Sequence, residues 1–369
     1  MLSKADDYPI HQTPDPIAFS GSDRNFYDRY FFNGYGPDGE NFFALALGVY
    51  PQLNIMDAAF SFIDSDGKQH VLHASKVMHM ERLDLQIGPI SLEIVEPLQQ
   101  LRITVDSEEH GVKAELLFRG RMQVQQEPRY NRRSGPRMQM DVTRMTQCGD
   151  YEGWIEVAGN KVIVSPETYT GTRDRSWGVR AIGMSDPQPA APVVDPQFYW
   201  LWAPLNFDDR FSLFHRNDDA EGVAWSNNAV VGTAGGADNA MEKFEKSRHE
   251  IDYRPGSRHI DKMRLFFGEH EEVRIDLDIQ FNFYMYGIGY MNSQWGHGIY
   301  RGELEVAYEV LDFTELDATA FQFLHVQGFC KAVMTIRDEA PREGRGILEQ
   351  AFIGAHKPSG FTELFDHAR

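Results

Sequence analysis

The feature that most constrains this chain is its regular run of short segments in which apolar and polar residues alternate, each closed by a turn signal. Ala58 to Ile63 and Gln69 to His73 flank Asp64-Ser65-Asp66-Gly67, a hairpin with glycine where a positive φ is cheap. Ser91 to Val95 and Leu101 to Val105 flank Pro97, Val112 to Phe118 alternates again, and Trp154 to Val157 turns through Ala158-Gly159-Asn160 into Lys161 to Val164. The second half follows the same grammar: His249 to Tyr253 and His259 to Phe267 across Pro255-Gly256, then Ile275, Leu277, Ile279, Phe281 and Phe283 at every second position. Gly302 to Leu311 follows, and Cys330 to Ile336 pairs with Gly346 to Gly354 as a late hairpin. A period of two with no sustained period of 3.6 predicts an all-β protein of antiparallel sheets closed as barrels or sandwiches. Only Ala237 to Lys246 and Phe313 to Phe321 read as short helices.

Length divides this β material. A chain of 369 residues exceeds what one core usually holds, so two domains are expected. Ser185 to Pro196 carries Pro187, Pro189, Pro192 and Pro196 with almost no charge, which is linker composition. The boundary is placed there, giving domains 1–185 and 186–369. With 42% hydrophobic and 12% aromatic residues both cores can be filled. A net charge of −19 argues against nucleic-acid and anionic-membrane partners, and the basic run Arg129, Arg132, Arg133 and Arg137 reads as a solvated loop. There is no apolar run long enough for a membrane helix, no secretory leader and no glycosylation sequon, and there are only two cysteines, Cys148 and Cys330. These features predict a cytoplasmic protein with free thiols. The oligomeric state stays open, a homo-oligomer included.

Chemistry concentrates in Gly171-Thr172-Arg173-Asp174-Arg175-Ser176-Trp177-Gly178-Val179-Arg180, with three Arg, one Asp and a Trp between two glycines. As an extended segment it sends Thr172, Asp174 and Ser176 to one face and Arg173, Arg175 and Trp177 to the other. The bland reading is a structural seam of stacked and paired guanidinia. The dinucleotide-like Gly34-Tyr35-Gly36-Pro37-Asp38-Gly39 is turn chemistry followed by a strand, so it is set aside. Metal-ligand spacing, a phosphate loop and a nucleophile elbow are all missing, so an enzymatic site here would need no metal and no cofactor.

The segment resembles the Asp-His-x-Trp-Gly signature of the carotenoid 1,2-hydratase and AttH-like family, and Ser293-Gln294-Trp295-Gly296-His297-Gly298 is a second echo. The resemblance implies two tandem lipocalin-like (calycin-type) antiparallel β-barrel domains with an active site near their junction. It departs from the family where Arg175 stands in the His position, and a guanidinium does not give up its proton. The function it implies is a cofactor-independent, hydratase-like lyase or isomerase acting on a largely apolar, isoprenoid- or polyketide-like small molecule. The alternative is a non-catalytic binder of such molecules.

Protonating an alkene carbon needs an acid kept protonated near neutral pH, and a carboxyl in an apolar pocket can supply one. Asp174 is the first candidate donor, with Arg175 beside it, Glu303 as the alternative donor and His297 as the imidazole of the second motif. Trp177, Tyr199, Trp200, Trp202, Trp295 and Tyr286, together with Tyr290, are the aromatic candidates for a ligand-binding wall. Alternation allows only one of the pairs Tyr199/Leu201 and Trp200/Trp202 to face a given cavity.

Overall fold

The computed structural model describes residues 2–19, 21–185, 196–235 and 240–368. Among them the chain is nearly all β, with helix confined to five short 3₁₀ turns. The strands form two antiparallel sheets, one of 14 strands that curls into a nearly closed barrel and one of 9 strands that forms a half-barrel. The all-β, lipocalin-like class expected from the alternation is what the chain adopts. The residues proposed as linker fall largely on 186–195, outside the described residues, as does the boundary placed there.

The first sheet is centred on Phe26–Tyr35, which pairs on one side with Phe43–Tyr50 and on the other with the signature strand Thr170–Val179. Thr170–Val179 pairs in turn with the long strand Arg137–Val157. One strand of this sheet comes from far along the chain: Leu304–Leu311 lies against Gln69–Val77, with Tyr308 opposite Leu72. In the second sheet Phe198–Phe207 sits between Arg210–Asp218 and Arg342–Ile353, and Arg342–Ile353 pairs onward with Val326–Ile336.

Strict alternation along these central strands builds three apolar layers. From Phe26–Tyr35, Tyr30 and Phe32 enter the core of the first sheet, while Tyr27, Phe31 and Tyr35 enter a layer shared with Trp200, Trp202, Phe283 and Ile347 of the second. Tyr199, Leu201 and Leu205 face the core of the second sheet. A strand covered on both faces reads as a continuous apolar run, and Phe43–Tyr50 is buried at every position for this reason. Trp202 is 1% exposed; burying an aromatic of roughly 150–250 Å² at about 25 cal/mol per Å² stabilises the join by roughly 4–6 kcal/mol.

Two glycines of the signature have a steric reason. A Cβ on Gly171 would lie 2.0 Å from the Asn33 carbonyl oxygen, and one on Gly178, where φ is +133°, would lie 2.0 Å from the Asp141 carbonyl oxygen. Both neighbouring strands therefore approach the signature strand as closely as backbone allows.

Neither expected helix forms among the described residues. Met241–Lys243 is an exposed edge strand on Ala224–Thr233, while 236–239 lie outside the described residues. Between Phe313 and Phe321 the chain turns instead, because Asp312 and Asp317 accept the backbone N–H of Thr314 and Thr319 at 3.0 and 2.9 Å. Such side-chain capture competes with helical hydrogen bonding. Cys148 and Cys330 are free, buried thiols, and burial pushes the Cys148 thiol up to about 12. No helix among the described residues is long and apolar enough to cross a membrane.

Candidate functional site

The outer face of the first sheet and the facing side of the second enclose a cleft of about 110 Å³ that opens on one side to solvent. The signature strand contributes Asp174 and Ser176, and its neighbours contribute residues in the same pleat: Phe31 lies opposite Asp174, while Arg29 and Arg144 flank Ser176. The second sheet contributes Trp200 and Glu349, and His325 reaches in from the residue before Val326–Ile336. The cleft therefore exists only when the two sheets are packed together.

Asp174 carries the most distinctive electrostatics. Its carboxyl has no hydrogen-bond partner among the described residues, and its pKa is raised to about 7. Burial is the main cause; Arg144 opposes it, while the negative charges of Glu349 and Glu127 add to it. Glu349 is the contrasting carboxylate in the same cleft. Burial works to raise it as well, but it accepts hydrogen bonds from His325 Nε2 at 2.9 Å, Gln327 Nε2 at 2.7 Å and Trp200 Nε1 at 3.0 Å. His325, Gln327 and the charge of Arg144 hold it below the usual carboxylate range. Two carboxyls with pKa values driven apart form the pattern of an acid beside a base.

Behind the wall lies a supporting hub. Glu127 is 2% exposed and accepts from Arg144 Nη2 at 2.7 Å, Thr146 Oγ1 at 2.6 Å, Tyr130 Oη at 2.9 Å and Trp202 Nε1 at 3.2 Å. His215 Nδ1 lies 3.1 Å away, and burial lowers that imidazole's pKa. The Arg144 guanidinium sits over the rings of Trp200 at 4.6 Å and Trp202 at 5.0 Å, so both tryptophans brace a cation. At the other end Tyr290 Oη accepts from Arg29 Nη1 at 2.7 Å and Arg180 Nη1 at 3.4 Å.

The residues singled out from sequence divide between the cleft and other parts of the molecule. Asp174 and Trp200 line the cleft, Trp202 lies directly behind it, and Tyr290 closes one end. Arg175 does not face Asp174: it points to the other face of its strand, paired with Asp28 at 3.0 Å and lying over Tyr30 at 4.4 Å, with Trp177 alongside at 5.7 Å. His297 sits behind Tyr290; its Nε2–H donates to the Ile288 carbonyl at 3.0 Å, and burial with the nearby Arg29 and Arg180 holds its pKa well below the usual value. It is therefore a neutral ring. Glu303 is at the surface, its side chain 74% exposed and paired with His79, outside the cleft.

Tyr199 faces the core of the second sheet, where its hydroxyl meets His249 Nε2 at 2.9 Å. Trp295 stacks on His73 at 5.0 Å, and Tyr286 packs on Phe323 at 5.2 Å; neither lines the cleft. Arg29, Arg144, Glu127, Glu349 and His325 went unrecognised in the sequence. Their one local signal is a charge placed on a strand otherwise built for burial.

These elements define a class: two curled antiparallel sheets of lipocalin-like type with a polar cleft at their junction. Solved structures share the fold. A candidate AttH from Nitrosomonas europaea is 13% identical, with 93% of this chain and 98% of that chain covered and a TM-score of 0.55. Kievitone hydratase from Nectria haematococca is 13% identical, with 92% and 93% covered and a TM-score of 0.55. CghA in complex with Sch210972 is 10% identical, with 89% of each chain covered and a TM-score of 0.50. At these identities the likeness is one of fold. The chain belongs to the family of unknown function DUF8625, whose profile matches residues 2–362. No curated protein matches it in sequence.

Proposed function

We propose that the protein is a hydratase-like lyase or isomerase that acts by acid–base chemistry, without a cofactor, on a largely apolar isoprenoid- or polyketide-like molecule. The observation that carries this reading is Asp174, a carboxyl without a hydrogen-bond partner whose pKa of about 7 keeps it substantially protonated near neutral pH, in one cleft with the ionised Glu349. Asp174 gives its proton to an alkene carbon of the substrate. The His325–Glu349 pair takes a proton from an attacking water in a hydration, or from an adjacent C–H in an isomerisation. The kievitone hydratase likeness supports the hydration branch at the level of fold.

Arg29, Arg144 and Arg180 all line the cleft. A unit positive charge 5 Å from a guanidinium is disfavoured by about 3 kcal/mol at an effective dielectric of about 20. The ionised Glu349 offsets that cost on its own side of the cleft, where the His325–Glu349 pair takes up the second proton. The cleft volume of about 110 Å³ is below the roughly 300–1,000 Å³ of sites that enclose a drug-sized ligand. Only the reacting end of the substrate enters, and the remainder lies in the open mouth.

The test is solvent-isotope incorporation. Small-molecule extracts are incubated with the protein in D₂O and examined by mass spectrometry for products carrying carbon-bound deuterium. The wild type labels a product and Asp174→Asn labels it more slowly by a factor on the order of 10² to 10⁴. Ligand retention with no labelling by the wild type would overturn the catalytic reading in favour of a binding protein.

A further inference from the structure

Three arginines that are wholly or partly buried have a carboxylate partner. Arg144 has Glu127 at 2.7 Å, Arg175 has Asp28 at 3.0 Å, and Arg258 has Asp366 at 2.5 Å. Arg29 and Arg180, both on the wall of the cleft, form no ion pair among the described residues. Arg29 is 3% exposed and is held only by neutral acceptors, Tyr290 Oη at 2.7 Å and the Ile288 carbonyl at 3.2 Å. Arg180 has Tyr290 Oη at 3.4 Å and His297 Nδ1 at 3.3 Å, the acceptor nitrogen of a neutral ring. The Nε of each is buried without a hydrogen-bond partner. Asp57 is the nearby carboxylate, but its oxygens are engaged by Tyr50 Oη at 2.9 Å and the Gly298 N–H at 2.6 Å and reach neither guanidinium. Arg173 also lacks a carboxylate; it lies on the opposite face of its strand, bonded to Gln147, and does not line the cleft.

Two desolvated guanidinia sharing one phenol oxygen are expensive to keep unless something anionic completes them. We infer that Arg29, Arg180 and Tyr290 form an anion subsite of the cleft, and that its ligand is a largely apolar molecule carrying a carboxylate. The planar fork of a guanidinium matches a carboxylate through two parallel hydrogen bonds, and two such groups flanking one hydroxyl provide donors from both sides. The subsite explains why Arg29 and Arg180 stand on the cleft wall without an ion pair: their negative charge arrives with the substrate. It also anchors one end of the substrate and thereby fixes which carbon meets Asp174. This inference rests on the acid–base reading for its place in catalysis, but the subsite's binding preference does not depend on turnover.

Benzoate and benzamide separate the two claims, since they share a size suited to a small cleft and differ in charge. Isothermal titration calorimetry on the full chain should give benzoate an affinity at least about tenfold above benzamide, and Arg29→Met and Arg180→Met should each abolish that preference while leaving benzamide binding unchanged. If Arg29→Met does not fold, Arg180→Met and Tyr290→Phe decide the matter. Asp174→Asn should keep the preference for benzoate. Equal binding of the two probes by the wild type, or a preference that survives both arginine substitutions, overturns the subsite; phenyl phosphate binding more tightly than benzoate overturns the carboxylate assignment. A preference that stands while no deuterium labelling is found keeps the subsite and removes only the catalytic reading.

Discussion

The two faces of Thr170–Val179 place the same charges in opposite circumstances. On one face Arg175 is matched to Asp28 and stacked on Tyr30, so charge, hydrogen bonds and packing are all accounted for. On the other face Asp174 looks into a cleft, is not hydrogen-bonded among the described residues and is kept near neutral by burial. A paired charge ties structure together, whereas an unpaired titratable group at a cavity wall is held ready for a ligand or a proton. The difference also explains why Arg175 in the family's His position does not disqualify the site: its side chain never faces Asp174, and the imidazole of the cleft is His325, supplied by the second sheet.

The sharpest way to break this comparison is to neutralise each face in turn. Asp174→Asn should lower kcat by a factor on the order of 10² to 10⁴ with ligand affinity retained. Arg175→Met should change kcat by less than about tenfold while costing roughly 1–3 kcal/mol of stability, because it strands the half-buried Asp28. Steady-state kinetics and denaturant midpoints measure both. Similar kinetic losses in the two variants would show that the faces are not functionally distinct.

A smaller effect follows from pH. The folded pKa of Asp174, about 7, lies above the unfolded value of about 3.9, so the stability tied to its neutral form is full below about pH 4 and is lost as pH rises towards 7 and beyond. Asp174→Asn removes that dependence. Its stability relative to wild type should improve between pH 4 and pH 8 by on the order of 1–3 kcal/mol, a figure kept low because the carboxyl is partly solvent-exposed. In parallel, wild-type kcat/KM should fall above about pH 7. A stability difference that is flat with pH would mean that Asp174 is ionised throughout and is not the acid.

The smallest effect belongs to Glu303, the alternative donor that follows the second motif. Glu303→Gln should leave activity unchanged and stability within about 0.5 kcal/mol, as for other exposed positions. A loss of activity would bring Glu303 back as a donor.

The alternation of residues determined the class of fold and the two faces of the signature, because side-chain direction in a strand is a local property with a fixed period of two. It also separated Tyr199 from Trp200 and Trp202 correctly, since that needs only four consecutive residues. Local pattern failed where a side chain or a distant strand overrode it, as when Asp312 and Asp317 captured backbone N–H groups in place of a helix.

The cleft was decided by tertiary structure alone. Asp174, Arg29 and Glu349 stand on three strands of two sheets and His325 just before a fourth, and nothing in the spacing of a single chain records which strands will face one another. The pKa of Asp174 depends on that packing as well: its main cause is burial between sheets, followed by charges whose sequence positions are remote from it. Sequence supplied the carboxyl and its direction; only the closing of one sheet over the other made it an acid.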